Sequence, residues 1–189
     1  MKYRDKLESE GFIPWQPSTW PKPSIVYSTE FAETLEIIIK ETMLNEIENV
    51  ISDAHIVNGS LEHRGHVVAL ALLCAVDSIA AYAFSGGVGS RYIKFITTFF
   101  PADYQPFADD IYNLYRNSSV HSWNLFEVGM WPGNEPIRKD NGSLSFGLLN
   151  FFQALKNAVD NFLSTLPQDT NLQTNSLTRY SDLKISAVV

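Results

Sequence analysis

The 189-residue chain is predicted to be all-α (mainly α): an antiparallel helical bundle of about five helices with a small β-hairpin before the last helix. Three observations predict it. Apolar residues recur at close to a 3.6-residue spacing from Phe31 to Ile51, an almost unbroken apolar run extends from Val67 to Phe84, and a second amphipathic stripe runs from Leu149 to Leu166. Hydrophobic residues make up 45% and charged residues 19%, the balance of a chain that folds around its own core. That length can bury a core without disulfide or metal staples.

Residues 1–28 are expected to form a Pro/Trp-rich N-terminal arm. The stretch PWQPSTWPKPS at 14–24 favours an extended, polyproline-like path. Trp15 and Trp20 either pin it to the protein's own surface or dock a protein partner. The opening MKYRDKLESEGF carries no apolar h-region, so no secretory signal is expected. Cys74, the single cysteine, leaves no internal disulfide, and a cytoplasmic setting follows.

The bundle domain is expected over 29–166. Its first helix begins near Ser28 or Thr29, with Glu30 and Glu33 in the first turn, where they complement the helix dipole. Phe31, Leu35, Ile38, Ile39, Met43, Ile47, Val50 and Ile51 form its inward stripe, and it stops before Asn58-Gly59. A second helix runs from about Ser60 to Phe84. Between Val67 and Phe84 its strongly polar side chains are Asp77 and Ser78, which predicts a helix surrounded on every side. A membrane span is disfavoured, because a carboxylate at its centre costs roughly 2.5 to 3.5 kcal/mol.

SGGVGS, residues 85–90, breaks that helix, and Ser90 is placed to cap a short third helix that Pro101 ends. The glycines do not make a phosphate loop, since no strand precedes them and no Gly-Lys-Ser/Thr follows. A fourth helix is expected from about Pro106 to His121, with Phe107, Ile111, Leu114, Ser118 and His121 on one face. WNLFEVGM and SLSFG read as the two strands of a hairpin. The last helix covers roughly Leu148 to Leu166, turning Leu149, Phe152, Leu155, Val159, Phe162 and Leu166 inward. Residues 167–189 read as a polar C-terminal tail, with LKISAVV either pairing as an edge strand or staying mobile.

Chemistry concentrates in YRNSSVHSW, residues 115–123. Arg116 and His121 lie five residues apart, about 140° around an α-helix, so one helix does not bring them to one face. Two copies of the helix meeting across a two-fold axis would let each Arg serve the space near the other chain's His, so a catalytic reading requires a homodimer. Histidine and arginine suit RNA phosphodiester cleavage without a metal or other cofactor. The imidazole takes the 2′-hydroxyl proton or protonates the departing oxygen, and the guanidinium supports charge on the phosphate. DNA lacks that hydroxyl.

Arg116-Asn117-Ser118-Ser119-Val120-His121 resembles the Arg-polar-xxx-His signature of the HEPN superfamily. An apolar second helix, the LYRN approach and a hairpin before the last helix extend the likeness over about residues 30 to 166. The resemblance implies a helical bundle, usually dimeric, in which many members are metal-independent endoribonucleases, including toxins of toxin–antitoxin and defence systems, while others only bind. It assigns Arg116 to the phosphate, Asn117 to the polar motif position and His121 to general acid–base work. One toxin branch carries a tyrosine two residues after the His that its antitoxin modifies; Trp123 stands there, so that control is not expected.

Asp77 needs a donor in so apolar a helix. Arg116 or His121 as partner would make it a support for the site, whereas Tyr112 or Tyr115 would make the contact structural; Ser118, on the face of the fourth helix that carries His121, is a further supporting residue. The formal charge of −7 repels polyanions, and Arg116 stands alone among basic residues between Lys94 and Arg138, with Asp103, Asp109, Asp110, Glu127 and Glu135 around it. An RNA groove therefore needs Arg64, Arg91, Lys94 or a second subunit. His55, His63 and His66 are expected to face solvent and hold no metal, since a site would also require Asp53 or Glu62 in place. Two non-enzymatic alternatives remain: a nucleotide- or RNA-binding module using the same pocket, and a scaffold whose arm docks a protein.

Overall fold

A computed structural model describes residues 26–53, 55–57, 60–62, 65–116, 129–131, 133–140 and 143–186, with the backbone alone described for 55–57, 60–62, 114–116, 129–130, 143 and 183–186. The first helix starts where its capping residue predicts. Ser28 is extended (φ −141°, ψ 163°), its Oγ accepts from the Phe31 N–H at 3.1 Å, and α1 follows as Thr29–Glu36. A π-helical segment, Ile37–Leu44, then leads into α2, Asn45–Ser52. The buried stripe is Phe31, Leu35, Ile39, Leu44, Ile47 and Ile51. Met43, expected inward, is only partly buried, because the wider π turn spends five residues between Ile39 and Leu44. Thr42 Oγ1 donates to the Ile37 carbonyl at 3.4 Å, the five-residue reach of that turn.

The second helix begins later than expected. Residues from Ser60 are not its first turn: β1 (His55–Val57) and β2 (Ser60–Glu62) pair antiparallel, with Val57 opposite Ser60. The sequence between those partners is Asn58-Gly59, the dipeptide that most favours a two-residue hairpin. The central helix α3, Gly65–Ala83, follows.

By length and composition α3 could cross a membrane, but 61% of it is buried against protein. The expectation that it is surrounded on every side is corrected. Val67 is 49% exposed, and Cys74 and Ser78 are exposed on the same side.

Helix α4, Val88–Phe99, takes Gly87 as its N-cap, so Ser90 lies within its first turn rather than capping it. Its end is as predicted: Phe100 turns extended (ψ 158°) ahead of Pro101. The expected fourth helix is not one regular α-helix. A 3-10 turn (Gln105–Phe107), a single α-turn α5 (Ala108–Asp110) and a π segment (Ile111–Arg116) succeed one another.

The hairpin before the following helix is present but is built differently. β4 (Arg138–Asp140) pairs antiparallel with β5 (Ser143–Gly147), and β3 (Gly129–Trp131) lies on the other side of β5 in parallel, giving the order β3-β5-β4. Of the stretch WNLFEVGM only Gly129 and Met130 lie among the described residues, and they belong to the parallel neighbour of β5, whereas the antiparallel partner is β4. Helix α6, Leu148–Thr165, buries Phe152, Leu155, Val159 and Phe162 as its stripe predicts. Its Phe151 and Phe162, with Phe95, Phe99, Phe100, Tyr104 and Phe146, build an aromatic core of tilted and edge-on pairs.

The expected tail is a helix. Asp169 Oδ1 accepts from the N–H groups of Asn171 (2.8 Å) and Leu172 (3.1 Å), and α7 runs Thr170–Ser186. It docks on α3 through Leu172, Ser176 and Tyr180. Ser176 Oγ donates to the Tyr82 carbonyl and Asn175 Nδ2 to the Ala83 carbonyl, both at 3.0 Å, satisfying acceptors that the end of α3 would otherwise leave open.

Candidate functional site

Asp77 is the single charged residue of α3, and the turn of SGGVGS brings α4 back against it. Arg91 Nη2 lies 3.9 Å from Asp77 Oδ1, and the two side chains are 21% and 20% exposed. Arg91 Nη1 also donates to the Gly86 carbonyl at 3.2 Å. Gly86 has φ 109°, a backbone shape that glycine adopts without strain and that turns this carbonyl toward the guanidinium. The guanidinium thus sits between a carboxylate and a main-chain oxygen at the base of the α3–α4 connection.

The π segment Ile111–Arg116 packs on both α3 and α4, with Ile111 buried in the core. The Tyr112 ring lies 5.3 Å from that of Tyr92, centroid to centroid. Gly89 lets it come so close: a Cβ there would stand 2.7 Å from Tyr112 Cε1 and 2.9 Å from Cζ. Arg116 is four residues, about one turn, beyond Tyr112 and ends the segment.

Of the residues expected to act, Asp77 meets Arg91 and Tyr112 meets Gly89 and Tyr92, so both reach α4, and the backbone of Tyr115 and Arg116 continues the segment that carries Tyr112. Asn117, Ser118, His121 and Trp123, and the side chains of Tyr115 and Arg116, lie outside the described residues. The α-helical spacing that set Arg116 and His121 about 140° apart presumes a regular helix, and the ladder over 111–116 closes five residues back instead.

Sequence reasoning named Arg91 only as a possible contributor to a basic groove, not as a neighbour of Asp77. Spacing did not signal it: Asp77 stands eight residues before Ser85 and Arg91 six after it, so the two meet only through the way α4 folds back on α3.

Surrounding charges are less hostile to a polyanion than their sequence suggests. Asp110, counted among the repelling acids, is bound by Lys139 Nζ at 2.6 Å. Lys94, one turn along α4 from Arg91, is exposed, with its Nζ 4.5 Å from the centroid of the Phe84 ring. Among the described residues no group of His, Cys, Asp and Glu could hold a metal ion. Of the histidines, the backbone of His55 pairs across from Glu62, His66 is half-buried at the start of α3, and His63 lies outside the described residues.

Burial pushes the Tyr82 phenol up to about 12 and raises that of Tyr104 further, but both belong to the core. No family model, curated protein sequence or solved structure matches the chain.

Proposed function

We propose that the chain is a HEPN-like, metal-independent endoribonuclease that works as a homodimer. One observation carries the reading. The segment ending in Arg116 packs on both α3 and α4, the helices that carry the paired Asp77 and Arg91, which supports reading the Arg-Asn-xxx-His stretch as leaving the bundle from the charged side of its core. The mainly α bundle and the motif's place after a core-facing helix agree with the resemblance.

His121 accepts the 2′-hydroxyl proton as that oxygen attacks the adjacent phosphorus. The bond from phosphorus to the 5′-oxygen breaks, leaving a 2′,3′-cyclic phosphate and a 5′-hydroxyl, and a protonated histidine, supplied by the second subunit, gives its proton to the departing oxygen. Arg116 stabilises the charge that gathers on the non-bridging oxygens, and Asn117 holds the phosphate in place.

The test is incubation with mixed RNA and the equivalent DNA, both with chelator, beside His121→Ala. RNA alone should be cut, and the variant should lose at least about 100-fold in rate while keeping its fold and dimerisation. Intact RNA, or equal cutting by the variant, would remove catalysis and leave YRNSSVHSW as a binding or structural motif.

A further inference from the structure

We infer that α7 is a latch: beyond its first turn it lifts off α3 as a unit, at a free energy well below that of unfolding the bundle, and bares the α1–α3 face beneath it. The device does not depend on the ribonuclease reading. Its basis is a mismatch between α7 and the helix before it. α6 buries eight side chains, among them Phe151, Phe152 and Phe162. α7, of nearly the same length, buries Leu172, Ser176 and Tyr180 among its described side chains. One of those three is a serine.

Local propensity does not make up the difference. Eight of the 17 residues of α7 are Thr, Asn or Ser and none is Ala, and these are types whose side chains compete with the helix ladder for backbone groups. The competition is visible: Thr174 Oγ1 donates to the Thr170 carbonyl at 2.8 Å and Thr178 Oγ1 to the Thr174 carbonyl at 2.9 Å. A helix of this length and composition is marginal without tertiary contacts. It is held where α1 and α3 support it.

That support is divided between an anchored end and a releasable one. Asp169 caps the first turn, and Gln173 Nε2 donates to the carbonyls of Leu166 and Pro167 at 3.1 and 3.0 Å, so this turn stays with the link from α6. Beyond it the hold consists of Asn175 and Ser176 on the last carbonyls of α3 and of Tyr180, edge-on to Phe31 at 5.6 Å. Water can replace both hydrogen bonds once the helix lifts, at a small net cost. Undocking uncovers Phe31 and Tyr82, each 5% exposed with α7 in place, and frees the Tyr82 and Ala83 carbonyls next to the turn into α4.

Native-state hydrogen exchange on the full chain, in urea below the unfolding transition, tests this. Amides of residues 176–182 should exchange at least about 10-fold faster than those of residues 72–80 in the centre of α3. They should also follow a single urea dependence shallower than that of α3, because undocking exposes less surface than unfolding. Equal protection and equal urea dependence in α7 and α3 would overturn the inference by making α7 part of the cooperative core. So would rates graded backward from residue 186, which mean fraying, or no protection in α7 at all, which leaves no closed state to open.

Discussion

Two glycines show how differently one substitution acts at two sites. Alanine in place of a helical glycine ordinarily gains up to about 1 kcal/mol. At Gly89 the added methyl would meet the Tyr112 ring, the far end of a side chain that can rotate, so Gly89→Ala should cost about 1 kcal/mol net. At Gly147 the obstacle is the backbone of Gly133 and Glu135, whose oxygens also accept from the Leu149 and Gly147 N–H groups, and the cost should reach about 3 kcal/mol. Urea midpoints would order them, and an unchanged midpoint for Gly89→Ala would mean the ring is not held against α4. The candidate site was legible in part at this scale. Asp77 announced its need for a partner through its apolar surroundings, whereas the identity of that partner depended on how two helices fold back on each other, which no local spacing states.

At the scale of elements, helices with a wide apolar stripe were readable and the helix without one was not. α6 declares itself through Phe152, Leu155, Val159 and Phe162. Among its described side chains α7 buries Leu172, Ser176 and Tyr180, with Leu177 packed partly against the core, and it is also held by side chains bonding the last carbonyls of α3, while its composition resembles a tail. Its start was nonetheless signalled by Asp169 after Pro167. Ser176→Ala should destabilise by about 1 kcal/mol, since it leaves the Tyr82 carbonyl buried without its donor. A calorimetric scan would detect the shift, and no change would mean that α7 docks through its apolar residues alone. The hairpin shows a related limit: strand character at Gly129-Met130 and in SLSFG was visible, while residues 123–128 lie outside the described ones, and nothing signalled that Arg138–Asp140 takes the antiparallel place beside β5.

For the whole molecule, burial of phenols sets the alkaline limit. Tyr82 and Tyr104 hold their protons more tightly when folded than the ordinary value of 10.0, Tyr82 up to about 12. A raised folded pKa stabilises fully below the unfolded pKa and is lost as pH rises through the folded one. Stability should therefore decline from about pH 10 toward pH 12. Lys40 adds to the same trend, because its hydrogen bond to Asp160 raises its pKa and ties α6 to the first helix. Melting temperatures across that range should fall less steeply in Tyr82→Phe than in wild type, and parallel curves would assign the loss to other groups.

The π segment between α1 and α2 has a consequence for chain length. Five residues carry the core from Ile39 to Leu44 where an α-helix would use three or four, so the helix holds the equivalent of one inserted residue. Removing one residue there would turn the spacing of the following core positions into a regular α-helical series, with α2 still presenting Ile47 and Ile51 to α3. A change of length that disrupts most buried helices is, at this point, a change of winding.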